Sequence, residues 1–290
     1  EMCIRDRYYD SSSVLNKKRG KKMSILTFKG GVHPYDGKEL SKDVAVRKIN
    51  PGKEVVIPVA QHIGAPAVPV VDIGDRVLKG QRIAEAEGFV SANVHSSISG
   101  TVKKIEKRLV PTGNKVLSII IENDEKYEEM QYEADGEPWT KEFIRETVKD
   151  CGVVGLGGAC FPTHVKLTPK NEDDIDYVIV NGAECEPYIT SDYRRLVEQP
   201  KEVIEGLKII LRLFDHAKGV IAVENNKPDA IENLTKLTQN EDRIEIASLK
   251  TKYPQGSERH IIYAVTKRKI NSSMLPACLL YTSPSPRDCS

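Results

Sequence analysis

The sequence predicts an all-β unit followed by an α/β unit built on a parallel sheet. Three observations point there. From Val55 to Ile121, short β-branched runs are separated by Gly and Pro; from Thr140 onward, strand-like and helix-period segments alternate; and an acidic connector, Asp124 to Pro138, stands between them. A chain of 290 residues is long enough for two such units, each with its own core.

The β-rich part contains the runs VVIPVA, PAVPVV, RVLKGQRIAEA, ANVHSSISGTVKKI and VLSIIIEN. Their short, even spacing reads as a sandwich or barrel. Within it, Gly74-Asp75-Arg76-Val77, Lys79-Gly80-Gln81 and Ser97-Ile98-Ser99-Gly100-Thr101-Val102 resemble the biotinyl and lipoyl carrier fold, a barrel-sandwich hybrid. Carrier domains present a modifiable Lys on a hairpin between those runs. The matching stretch here, Glu87-Gly88-Phe89-Val90-Ser91-Ala92-Asn93, has no Lys, so the expectation is a scaffold or docking surface without swinging-arm chemistry. His62 and His95 lack a second ligand at metal spacing and are read as structural. Upstream, FKGGVHP (Phe28 to Pro34) is a loop whose glycines permit positive φ.

The second part begins with a helix from Thr140, its N-cap, to Val148, with Phe143, Ile144, Thr147 and Val148 on one face. Tyr177 to Val180 is a strand. Pro200 opens a helix bearing Val203, Leu207, Ile210 and Phe214; Gly219 to Val223 is the next strand, Pro228 to Leu237 a helix, and Ile244 to Leu249 a third strand. This order implies a Rossmann-like parallel sheet with crossover helices.

Ligands of such sheets bind beyond the carboxyl ends of the strands. The first strand runs into Asn181-Gly182-Ala183-Glu184-Cys185-Glu186-Pro187 and the second into Glu224-Asn225-Asn226; the glycine run Gly155-Leu156-Gly157-Gly158-Ala159-Cys160-Phe161 precedes both, with Lys166 close behind. Glycines let backbone N–H groups approach a phosphate or a flat ring. Lys166 offers a point charge to phosphate, and Phe161 an apolar face to an aromatic ring. Glu184 and Glu186 can accept from ribose hydroxyls while repelling an added phosphate, so NADH is expected over NADPH.

The combination GLGGACFPTHVKL, NGAECEPYITSDYR and YPQGSERHIIYAVT resembles the C subunit of Rnf-type ion-translocating oxidoreductase complexes, and is similar to the flavin-carrying, NADH-oxidising subunit of respiratory complex I. The resemblance runs from Met23 to about Ala277. It implies FMN at Gly155, Gly157, Gly158, Lys166 and Asn181, a nicotinamide nucleotide near Phe161, Glu184, Glu186 and Glu258, and a closing loop at Tyr253 and Gly256. Leu156 stands where complex I has Arg, Ala183 where it has Asp, Cys160 where Gly is usual, and Pro169 where a second aromatic is offered, which implies altered nucleotide stacking. The family continues with two four-iron four-sulfur clusters on paired CxxCxxCxxxCP runs. Cys3, Cys151, Cys160, Cys185, Cys278 and Cys289 do not have that spacing, so no metal site is expected here and the chain is read as truncated, with little activity alone.

The implied role is that of a peripheral electron-transfer subunit on the cytoplasmic face of the plasma membrane. Its partners would be the other subunits of the Rnf complex, ferredoxin and NADH, with electron flow coupled to Na⁺ or H⁺ translocation. A flavin is needed there because a nicotinamide exchanges two electrons and a cluster one. A soluble diaphorase or hydrogenase-type flavin subunit and a non-catalytic docking subunit are the alternatives. Composition speaks only to exclusions. With 43 Lys plus Arg against 42 Asp plus Glu and a formal charge of +1, nothing favours nucleic acid or anionic lipid globally. No run approaches the roughly 20 apolar residues of a membrane span. The expected organisation is a non-native or disordered leader at 1–22, the barrel at 23–135, an incomplete flavin domain at 136–277, and a patternless tail at 278–290.

Overall fold

The computed structural model describes residues 24–132, 139–156, 160–270 and a strand at 281–283. Gly157, Gly158, the leader and most of the tail lie outside the described residues, as do Cys3, Cys278 and Cys289.

The β-rich unit consists of β1 (Glu54–Pro58), β2 (Val68–Pro69), β3 (Arg76–Val77), β4 (Arg82–Glu85), β5 (Val94–His95), β6 (Gly100–Leu109) and β7 (Lys115–Asn123). They form two antiparallel sheets, ordered β1-β7-β6-β3 and β2-β4-β5. The alternating residues Ile57, Val77, Ile83, Val102, Ile119 and Ile121 point between the sheets into one shared core. The long hairpin β6–β7 carries a register shift between Val102 and Lys104, which bends it around that core. The resulting barrel-sandwich architecture is the one expected.

The second unit is a three-layer α/β/α arrangement. Helices α1 (Lys141–Asp150) and α2 (Thr163–Lys166) lead into β8 (Tyr177–Gly182); α3 (Ser191–Glu198) and α4 (Pro200–Leu211) precede β9 (Lys218–Glu224); α5 (Pro228–Leu237) precedes β10 (Ile244–Leu249); and α6 (Glu258–Thr266) follows. The sheet is parallel, β8 pairing with β9 and β9 with β10. Strand period explains the layers. Val178, Ile221, Val223 and Ile244 face α4 and α5 in one core, whereas Ile179, Val220, Ala222, Ala247 and Leu249 face α6 in another. Thr140 caps α1 as expected, its hydroxyl accepting from Phe143 N at 3.1 Å. On α4 the buried residues are Ile204, Leu207 and Leu211, while Val203 and Ile210 sit at the margin. Thr147, placed by its spacing on the inner face of α1, is exposed, and Ile144 is the buried residue of that helix.

Two segments make contacts beyond those the sequence pattern gives them. The sequence pattern groups the residues from 23 onward with the barrel, yet Leu26 forms a parallel bridge with Leu249 and Val32 an antiparallel one with Tyr253. This segment therefore runs along the α/β unit, because the open edge of β10 offers unpaired backbone groups. In the tail, expected to carry no fold, β11 (Tyr281–Ser283) pairs in parallel with β8 from Val178 to Val180. It covers the opposite edge of the sheet. Among the described residues no helix is long and apolar enough to cross a membrane.

Candidate functional site

The carboxyl ends of β8, β9 and β10 meet at a small cleft of about 60 Å³, lined among others by Glu184, Cys185, Glu224, Lys252 and Tyr253. Its first wall is the acidic turn that follows β8. Asn181 is buried at the strand end, where its Nδ2 donates to Gly256 O at 2.7 Å and its Oδ1 accepts from Ala183 N at 3.2 Å. Gly256 N in turn donates to Cys185 Sγ at 3.3 Å. A Cβ at Gly256 would run into the Ala183 carbonyl, so only glycine lets the two loops close on each other. Asn181 and Gly256 thus fasten the acidic turn to the tyrosine segment.

The second wall follows β9. Glu224 is fully buried, with Oε2 at 3.4 Å from Lys227 Nζ and Oε1 accepting from Lys252 N at 3.4 Å. Asn225 Oδ1 accepts from both the N and the Oγ1 of Thr251 at 2.9 Å, which braces this loop against the third wall, Thr251 to Gly256. Glu184 is also fully buried. Its Oε1 accepts from Asp192 N at 2.8 Å in the first turn of α3, and its Oε2 lies 3.8 Å from Lys38 Nζ. Burial pushes both carboxyls above the usual carboxylate range, opposed by Lys227 and Lys38 at Glu184 and chiefly by Lys227 at Glu224. Sequence reasoning treats Glu184 and Glu186 alike. The structure separates them: Glu184 is part of the buried floor and Glu186 is only half-buried.

The glycine run lies between the bridge partners Val154 and Pro162, with Gly155 N donating to Phe161 O at 3.0 Å. Phe161 and Lys166 are half-buried, and Lys166 ends the single turn of α2. That turn is held against the barrel. His164 Nε2 lies 3.1 Å from Phe89 O, and Asn93 Nδ2 donates to Asp150 O at 3.3 Å. The hairpin that would carry a carrier domain's Lys is therefore a junction to the second unit. Tyr253 is exposed on the cleft, and Glu258 starts α6 directly behind Gly256. The structure brings Asn181, Glu184, Tyr253 and Gly256 together, while Gly155, Phe161 and Lys166 are positioned through the barrel junction.

Lys38, Lys252, His33 and Asp36 also line the cleft, and sequence reasoning assigns none of them. The only signal is the glycine-bearing FKGGVHP loop, and a buried Lys has no local pattern that distinguishes it from a solvated one.

Two family models match the chain: one described as the RnfC barrel sandwich hybrid domain over residues 26–126, and one described as the Nuo51 FMN-binding domain over residues 148–282. The C subunit of the Na(+)-translocating ferredoxin:NAD(+) oxidoreductase complex of Acetobacterium woodii is 44% identical over 87% of this chain and 57% of its own length. Its proton-translocating counterpart from Clostridium ljungdahlii is 41% identical over 87% and 56%. The C subunit of the ion-translocating oxidoreductase complex of Rhodobacter capsulatus is 36% identical over 89% and 50%. The chain thus spans about half the length of these curated relatives.

Proposed function

Because the chain belongs to the C-subunit family of Rnf-type ion-translocating oxidoreductase complexes, we propose that its strand-end cleft holds FMN and receives NAD(H). In this reading the full-length protein passes electrons between a nicotinamide nucleotide and iron-sulfur carriers. The observation that carries it is the cleft itself: a concave site at the carboxyl ends of parallel strands, inside the span that matches the FMN-binding family model. The residues present fit a flavin. The lining sets polar side chains beside the exposed Tyr253 ring, the mix of apolar face and polar groups that cofactor sites present, and the Asn181 to Gly256 hydrogen bond holds the two loops together.

When bound, FMN supplies the step between two-electron and one-electron transfer. The chain's own residues bind and orient. Lys166 and the N–H groups around Gly155, Gly157 and Gly158 would hold its phosphate, Asn181 and Gly256 fasten the acidic turn to the tyrosine segment, and Phe161, Glu186 and Glu258 would contact the nucleotide. Tyr253 closes the exposed side. Glu186, half-buried next to the lining residue Cys185, would accept from ribose and disfavour an added phosphate, giving NADH preference over NADPH. Glu184 supports that turn from beneath.

The iron-sulfur clusters of the proposed full-length protein do not fit the cysteines described here. Cys151 is exposed, Cys160 half-buried and Cys185 buried against Gly256, and among the described residues no group of three His, Cys, Asp or Glu can hold a metal ion. Cluster ligands, ferredoxin, the other complex subunits, ion coupling and a peripheral position on the cytoplasmic membrane face belong to the whole assembly in this proposal.

The test uses the full-length protein. Lys166→Ala should weaken FMN binding about tenfold or more, since a hydrogen bond to a charged group contributes about 1.5–3 kcal/mol. Unchanged affinity in a fluorescence titration rejects the Lys166 assignment. A full-length protein that takes up no FMN rejects the reading of the cleft.

A further inference from the structure

We propose that the amino-terminal segment from Phe28 to Leu40 forms the fourth wall of the cleft, and that Lys38 is a positioning residue that holds the acidic turn in its nucleotide-binding shape. The inference rests on the reading of the cleft as a nucleotide site and deepens it. Lys38 lies outside the 148–282 span that matches the FMN-binding family model.

The segment is tied at both ends across the cleft. At one end, Val32 and Tyr253 exchange two backbone hydrogen bonds of 2.9 Å. Lys252 Nζ there donates to Phe28 O at 2.5 Å and Gly30 O at 2.8 Å while sitting 3.7 Å from the centre of the Phe28 ring. At the other end, Tyr188 N donates to Asp36 O at 2.6 Å, and the hydroxyls of Ser41 and Thr190 lie 2.8 Å apart. The chain between these anchors places His33 and Asp36 on the cleft lining.

Lys38 is only 6% exposed. Its ammonium donates to Glu186 O at 3.0 Å and Ile189 O at 2.5 Å and lies 3.8 Å from Glu184 Oε2. These acceptors span the acidic turn from 184 to 189, so one cation with three donors gathers the whole turn around itself. A buried ammonium is costly unless it is paired and hydrogen-bonded. An apolar side chain would attach the segment at less cost, but it would not direct the Glu186 carbonyl and the Glu184 carboxyl inward. Holding those groups inward leaves the Glu186 side chain half-buried beside the lining residue Cys185.

In the full-length protein, Lys38→Met keeps the side-chain length and removes the charge. It should raise the KM for NADH about tenfold while kcat with a dye acceptor changes less than about twofold, the signature of lost uniform binding. FMN content should stay at the wild-type level, and Lys38→Arg should recover part of the KM. His33→Ala, at an exposed lining position, should raise the same KM by about two- to threefold and carries the test if Lys38→Met does not fold. An unchanged KM in the folded Lys38→Met protein, or in His33→Ala where that protein is the one tested, overturns the inference. A full-length wild type that binds neither FMN nor NADH defeats instead the reading on which it rests.

Discussion

From β1 to β7 the barrel closes over Ile57, Val77, Ile83, Ile98 and Ile121 and leaves no charged side chain buried; Arg76 pairs with Asp124 and Glu128, and Lys103 with Glu122, at the surface. At the carboxyl ends of β8, β9 and β10 the opposite holds: Lys38, Glu184, Glu224, Lys227 and Lys252 are all buried within one neighbourhood. Apolar packing suffices to make either unit. Buried ion pairs contribute little net stability compared with apolar residues of equal volume, so their concentration at one end of one unit marks where the molecule gives up stability for a defined electrostatic environment.

The largest effect that tests this contrast is removal of one member of the buried pair. With Lys227 absent, Glu224 keeps a backbone contact to Lys252 N but loses its cation, and Glu184 loses a compensating charge. Lys227→Ala should therefore cost about 3–5 kcal/mol in chemical denaturation. Replacing the pair together, Glu224→Gln with Lys227→Met, should restore most of that. Lys103→Ala in the barrel, whose partner Glu122 is 57% exposed, should leave stability nearly unchanged. A Lys227→Ala protein as stable as wild type would erase the distinction between the two regions.

A backbone change sharpens the contrast from the barrel side. Gly100 opens β6 opposite Asn123 at the end of β7, and a Cβ there would collide with the Glu122 carbonyl. Gly100→Ala should destabilise the chain by about 1–3 kcal/mol, the usual range for overpacking a well-filled site, and should leave the FMN affinity of the full-length protein unaltered. A loss of FMN affinity equal to that of Lys166→Ala would mean that the barrel hairpin shapes the cleft directly.

Much of this is legible in the sequence where the signal is local. The limits of α5 and β10, the Thr140 cap and the positions of β8 and β9 follow from turn residues and periodicity, and the strand ends identify Asn181, Glu184 and Glu224 as residues of interest. What cannot be read depends on contacts distant in sequence. Lys38 sits in a short Gly-bounded turn with no pattern of its own, and the carbonyls it binds, Glu186 and Ile189, are 148 and 151 positions away. The same holds for the pairing of Leu26 with Leu249 and for β11, whose three residues form a strand only because the edge of β8 stands open. For Asn181 the strand-end position suggests a cofactor contact, and the structure shows it joining two loops, a role that requires knowing where Gly256 lies.

The smallest effect concerns the junction between the units. His164 of α2 and His95 of β5 both lie at the contact between barrel and α/β unit, and burial lowers the affinity of each for a proton below its ordinary value of 6.5. Lys149 and His62 push His164 further down while the Phe89 carbonyl opposes; at His95, Arg82 pushes down while Asp150 opposes. A depressed histidine contributes stability that is fully present above its unfolded value and is lost as pH falls through the folded one. Glu184 and Glu224, with raised values caused by burial, work in the other direction, since their protonation relieves buried charge as pH falls. Acidification from about pH 7.5 to about pH 5.5 should therefore loosen the junction while easing the strand-end cluster. Native-state hydrogen exchange separates the two: amides of α1, α2 and the 87–93 hairpin should lose protection before those at the carboxyl ends of β8 and β9. In His164→Gln the acid-induced loss at the junction should shrink, because one titrating group is gone, and equal loss in both proteins would assign the acid sensitivity elsewhere.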